Sequence, residues 1–120
     1  MVDDEAAVSA SIFWALKPFG HTTKVVTDGE QALANLTADP TIELVITDHS
    51  MPRMSGLELV KRLRETAYGG KILVLSAHLS QQHRAAYDSL DVAAMLPKPF
   101  DVDALRQVIA ELFSNPSAVL

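Results

Sequence analysis

A chain of 120 residues, 48% apolar and 21% charged, is long enough to enclose one core and too short for two. Fifteen Asp and Glu against ten Lys and Arg leave a net charge of −5, which disfavours nucleic acid as a direct partner because phosphate contacts need a basic face. The absence of cysteine removes disulfides, thiolate metal sites and thiol nucleophiles together. Apolar runs such as Ile72–Leu75 are far too short to span a bilayer, and the acidic start Met1-Val2-Asp3-Asp4-Glu5 is unlike a signal peptide. The expectation is one soluble, cytoplasmic domain over residues 1–120, with neither membrane nor nucleic acid as a direct partner.

Only Met1 and Val2 offer apolar character before a first helical stripe, Val8, Ile12, Leu16 and Phe19, which closes at Lys17-Pro18 and Gly20. Trp14 and Phe13 read as core and flank of that helix. A β-branched run at Lys24–Thr27 predicts a strand, and a helix follows over about 29–38, capped by Asp28 and closed by Asp39-Pro40. A second strand is predicted at Glu43–Thr47. The next helix starts at Ser55, whose Ser-x-x-Glu spacing to Glu58 reads as a capping box; it turns Leu57, Val60 and Leu63 inward and stops at Gly69-Gly70. Lys61, Arg62 and Arg64 read as its solvated face. Then come a strand at Lys71–Ser76, a helix over about 80–90, a weaker strand at Val92–Leu96, and a helix after Asp101 with Leu105, Val108, Ile109 and Leu112 in one stripe. The tail 114–120, with Asn115-Pro116, reads as frayed.

Near-continuous apolar strands alternating with helices of ten to fifteen residues predict an open parallel sheet with helices on both faces. In such sheets ligands bind beyond the carboxyl ends of the strands. Asp3 and Asp4 would follow a first strand, Asp48 follows the second full run, Ser76 ends the third, and Lys98 follows the fourth. Three carboxylates, a hydroxyl and an ammonium therefore converge on one edge. Oxygen-only ligation favours Mg²⁺ or Mn²⁺, and a carboxylate beside such an ion can attack a phosphoryl group to give an aspartyl phosphate. An ammonium and a hydroxyl would then stabilise charge on the transferred group.

Four motifs carry a resemblance over residues 2 to about 113. They are Val2-Asp3-Asp4-Glu5, the run Val45 to Gly56 (VITDHSMPRMSG), Leu75-Ser76-Ala77, and Leu96-Pro97-Lys98-Pro99-Phe100. In this order and at these spacings the chain resembles the receiver domain of bacterial two-component response regulators, of the chemotaxis-regulator kind. The resemblance implies a flavodoxin-like (βα)5 doubly wound parallel sheet of order 2-1-3-4-5, with phosphorylation on Asp48. The donor would be a sensor histidine kinase or a histidine phosphotransfer protein. Asp3, Asp4, Asp48 and the backbone carbonyl of Ser50 would hold Mg²⁺ (or Mn²⁺), Asp3 largely through water. Lys98 would contact the phosphoryl group, and Ser76 would move to bond it. A surface around the fourth helix, the last strand and the last helix would switch, for an unidentified downstream protein. Such a domain is no enzyme in the ordinary sense, since it catalyses only its own phosphorylation and dephosphorylation.

Two positions depart from the family pattern. The residue three before the lysine is usually an aromatic switch; here it is Met95, flexible and without a phenol. The first strand is nearly absent, which would leave the strands on either side of it with open inner edges. That predicts destabilisation or homo-oligomerisation, through the exposed edge or through the switching face. His49, His78 and His83 read as rim residues tuning water access, since four scattered histidines lack the i, i+4 pairing of a zinc site. One alternative is a receiver-like interaction module that works without phosphate. Another is a phosphatase or mutase, but Ser50 stands where such enzymes often carry a second acid.

Overall fold

The computed structural model describes residues 1–2, 12, 14, 22–23, 26–39, 41–51, 54–66, 68–77, 79–98, 100–112 and 118–119, with 22–23 and 118–119 described by backbone alone. Five strands, β1 (Thr22–Thr23), β2 (Leu44–Asp48), β3 (Lys71–Ser76), β4 (Ala94–Pro97) and β5 (Ala118–Val119), form one parallel sheet of order β1-β5-β2-β3-β4. Four helices are described: α1 (Gly29–Ala38), α2 (Gly56–Glu65), α3 (Gln81–Ser89) and α4 (Val102–Leu112). Ile12 and Trp14 are also helical, the first buried and the second 62% exposed, so Trp14 is flank and not core.

The pleat divides the core in two. Val45, Ile72 and Val74 point to one face, where they meet Leu59, Val60 and Leu63 of α2 and Tyr87 of α3. Leu44, Ile46, Leu73 and Leu75 point to the other, against Ile12 and against Leu105 and Ile109 of α4. Because both faces are covered, β2 is buried at every position and β3 at all but its first, which is why these strands read as apolar runs without alternation.

The helix starts follow their predicted caps. Asp28 accepts from the Gln31 amide at 2.8 Å and Ser55 from the Glu58 amide at 3.2 Å. The Glu58 carboxylate itself meets Arg62. Arg64 does not belong to a solvated face. Its guanidinium, half-buried, donates to the carbonyls of Leu90, Tyr68, Gly70 and Asp91 at 2.7–3.1 Å, tying the end of α3 to α2.

The sheet differs from expectation in its middle. Val2 forms parallel bridges to Val26 and to Thr47, so the first two residues occupy the first-strand position next to β2. Val2 N–H donates to Ile46 at 2.7 Å, and the Val2 carbonyl accepts from Asp48 N–H at 3.0 Å. Further along the same gap, Ala118 and Val119, within the tail expected to fray, pair as β5: Thr22 and Thr23 face Ala118 and Val119, and Leu44 faces Val119; residues 114–117 and 120 lie outside the described residues. The inner edges expected to stand open are thus closed from both chain ends, because unpaired N–H and C=O groups inside a sheet are costly. The strand predicted at Lys24–Thr27 appears as Thr22–Thr23 and the Val26 bridge, with 24–25 outside the described residues.

Candidate functional site

The site forms at the carboxyl ends of β2, β3 and β4. Asp48 is the last residue of β2 and only 4% exposed. Lys98, one residue beyond β4, places Nζ 3.1 Å from its Oδ1. Ser76 closes β3, 6% exposed, and its carbonyl accepts from the Lys98 N–H at 2.7 Å, which fixes the lysine backbone beside the serine. Ser50 lies exposed in the loop after β2. Asp3 and Asp4 lie outside the described residues; Val2, which precedes them, is bonded to the Asp48 backbone. Of the predicted set, Asp48 and Lys98 are in direct contact, and Ser76 is joined to Lys98 through the backbone.

Gly56 explains how α2 can begin so close to Asp48. A Cβ there would stand 2.4 Å from the Asp48 carbonyl oxygen and 2.9 Å from His49 Cα, distances no side chain tolerates. The Gly56 amide donates to the His49 carbonyl at 2.9 Å, and the His49 amide to the Leu75 carbonyl at 2.9 Å. The loop after β2 is therefore held on two sides.

Met95 is partly buried against the face of the core that contains Tyr87. With Ser76, Leu79, Arg84 and Leu96 it lines a cleft of about 270 Å³ between β4 and α3. His49 is no simple rim residue: its Nδ1 shares a hydrogen bond of 2.6 Å with the Tyr87 hydroxyl, and its ring lies 4.6 Å from that of His83. Burial first, then His83, hold its imidazole below the ordinary value, against an opposing pull from Asp48. Burial, with the Asp48 charge second, pushes the Tyr87 hydroxyl above its ordinary range. His78 is outside the described residues. Sequence reasoning missed Tyr87 altogether; the available signal was its i, i+4 spacing from His83 on one helix face.

Among the described residues no three His, Asp or Glu side chains gather into a metal-sized cluster. The described donors at this edge, the Asp48 carboxylate and the Ser50 backbone, are oxygen atoms, a set that suits a hard divalent cation. Among the described residues no helix is long and apolar enough to cross a membrane.

A doubly wound parallel sheet with a buried carboxylate and an ammonium meeting at the strand ends defines a class of α/β domain that binds at that edge. The family described as response regulator receiver domain matches residues 1–110. The chain is 39% identical over 114 residues to the response regulator MprA of Mycolicibacterium vanbaalenii and 40% identical to that of Mycobacterium ulcerans. Each alignment covers 93% of this chain and 47% of the relative, so the chain spans about half the length of the relatives it matches. Among solved structures, the Vibrio cholerae chemotaxis protein CheY4 superposes with a TM-score of 0.86 at 26% identity, covering 93% of this chain and 94% of that one. A response regulator receiver protein from Pseudomonas putida gives 0.84 at 29%, covering 92% of each. The chain belongs to the response regulator receiver domain family, flavodoxin-like in fold. Receivers are signalling domains of two-component systems; they typically bind Mg²⁺ and interact with sensor kinases and downstream targets.

Proposed function

We propose that this chain accepts a phosphoryl group on Asp48 from the phosphohistidine of a sensor kinase or phosphotransfer protein and passes the change to a protein-binding surface. The observation that carries the reading is the Asp48–Lys98 contact: a nearly buried carboxylate at a strand end with an ammonium 3.1 Å away. An Asp48 oxygen forms the new P–O bond as the donor P–N bond breaks, and the imidazole leaves with a proton from solvent. Lys98 neutralises charge on the phosphoryl oxygens, and Ser76 donates its hydroxyl to one of them. Water attack on the acyl phosphate returns free Asp48 and inorganic phosphate. Mg²⁺, held by Asp3, Asp4, Asp48 and the Ser50 carbonyl, supplies further charge neutralisation when bound.

The test is intact mass after incubation with a small acyl phosphate and Mg²⁺. A single phosphoryl adduct is expected, absent in Asp48→Ala and in the metal-chelated sample. No adduct on the folded wild-type chain would overturn the reading in favour of an interaction module that works without phosphate.

A further inference from the structure

We infer that the His49–Tyr87 contact, buttressed by His83, couples the phosphoacceptor to α3, so that the aromatic coupling residue of this domain sits on a helix and not at position 95. The inference rests on the function proposed above and adds the route by which the site is read.

Tyr87 is the one buried residue of α3, and it is fully buried. A helix with a single buried side chain takes its position from that side chain. Just past Tyr87, the C-terminal end of α3 is anchored: Arg64 holds the carbonyls of Leu90 and Asp91 at 2.8 and 3.0 Å. The Tyr87 hydroxyl meets His49 Nδ1 at 2.6 Å, and His83, one turn earlier on the same face, sets its ring 4.6 Å from the His49 ring. One side chain adjacent to Asp48 is thus gripped by two residues of the helix.

His49 follows Asp48 directly, and its backbone is pinned to Leu75 and Gly56. A phosphoryl group on Asp48 adds about one to two negative charges within a residue of this contact. Burial first, and the Asp48 charge second, hold the Tyr87 hydroxyl above its ordinary range, so the two groups lie close enough to interact. A polar contact in partly buried surroundings changes strength with the charge beside it. When this contact changes, the tie between α3 and the residue beside Asp48 strengthens or weakens, and the helix can shift about its C-terminal end, which Arg64 holds. Met95, a flexible chain with no hydrogen-bonding ring, has no equivalent tie.

The experiment is amide NMR of the whole chain before and after Mg²⁺ and beryllofluoride, a mimic of the aspartyl phosphate, on wild type, Tyr87→Phe, His49→Leu and the double variant. In wild type the amides of Ser76, Lys98 and α3 should shift. In Tyr87→Phe, which keeps the ring and removes only the hydroxyl, the Ser76 and Lys98 shifts should persist while those of α3 shrink by about two- to tenfold. The double variant should lose no more than the larger single loss, because both substitutions break one contact. Full α3 shifts in Tyr87→Phe, or additive losses in the double variant, would overturn the coupling while leaving phosphorylation intact. Absence of Ser76 and Lys98 shifts in wild type would instead overturn the phosphoacceptor reading and the coupling with it.

Discussion

Lys98 is 20% exposed and the Asp48 side chain 6%, so their 3.1 Å contact is only partly screened by water. A preorganised ammonium in that position stabilises charge developing on a transferred phosphoryl group. Removing one such donor typically costs about 10²–10³ in rate, and partial exposure of Lys98 lowers the figure expected here to about 10–10². Lys98→Ala should therefore slow adduct formation from acyl phosphate by that factor while the circular dichroism spectrum stays unchanged; a rate within twofold of wild type would remove Lys98 from the chemistry. Tyr68 carries a different prediction. Its hydroxyl donates to the Ile42 carbonyl at 3.1 Å, and burial, opposed by Arg64, raises its pKa from 10.0 to about 12. Between those values the unfolded chain has lost the phenolic proton and the folded chain retains it. The contribution to stability is complete below pH 10 and is lost as pH rises towards about 12. After discounting for the exposed part of the ring, the loss is about 1 kcal/mol. Urea midpoints measured across this window should fall more steeply for wild type than for Tyr68→Phe, and equal slopes would refute the assignment.

At the scale of elements, local chemistry made much of the fold legible. Asp28 and Ser55 stop two helices at their starts because a short oxygen-bearing side chain satisfies an orphan amide, a rule that needs no tertiary information. The meeting of Asp48, Ser76 and Lys98 at one sheet edge was legible because buried parallel strands announce themselves and their carboxyl ends fall together. The bounds of α3, about 80–90, were legible too, but the way it ends was not. Its Leu90 cap is followed by Asp91 in the left-handed region, φ 57°, with Asp91 N–H donating to the Asp88 carbonyl at 3.2 Å and Val92 N–H to the Tyr87 carbonyl at 3.3 Å. This pair of bonds is the Schellman arrangement, which glycine normally serves. Asp91 adopts it against backbone sterics, and with its charge at the unfavourable end of the helix. Asp91→Gly should raise stability by about 0.5–1 kcal/mol, read from the urea midpoint. The Arg64 bond at this position uses the Asp91 backbone carbonyl and survives the substitution. A decrease in stability would show that the aspartate side chain does something its backbone does not. The union of His49 with Tyr87 was equally hidden, since it joins residues 38 apart through packing that no local pattern encodes.

For the molecule as a whole, the informative feature is the interior gap between β1 and β2. Composition and alternation identified a doubly wound sheet, and the family resemblance implied its order, but the segments that close the gap carry almost no sequence signal. Met1-Val2 is too short for a strand pattern, and Ala118-Val119 follows an Asn-Pro pair that reads as a loop. Their placement comes from what the remaining strands leave unsatisfied: Leu44 is fully buried, and its neighbour in the sheet across this gap is Val119. An inner strand end without a partner keeps N–H and C=O groups away from water, so a two-residue segment is stabilised there although it would be marginal elsewhere. Deleting residues 114–120 removes three paired positions, Thr22, Thr23 and Leu44. At a net contribution of about 1 kcal/mol per lost hydrogen-bonded position, the deletion should destabilise the chain by about 2–4 kcal/mol. Hydrogen exchange should quicken first at Thr22 and Thr23, while amides of Ile72–Leu75 change only as far as global stability falls. The end of the gap nearest Asp48 is closed by Val2, so the deleted chain should still take up the phosphoryl adduct while folded. Unchanged exchange at Thr22 and Thr23 would mean that β5 contributes nothing to the sheet. Loss of the adduct from a folded deletion variant would mean instead that the two chain ends act as one strand, with the tail supporting the site from the far side of the gap.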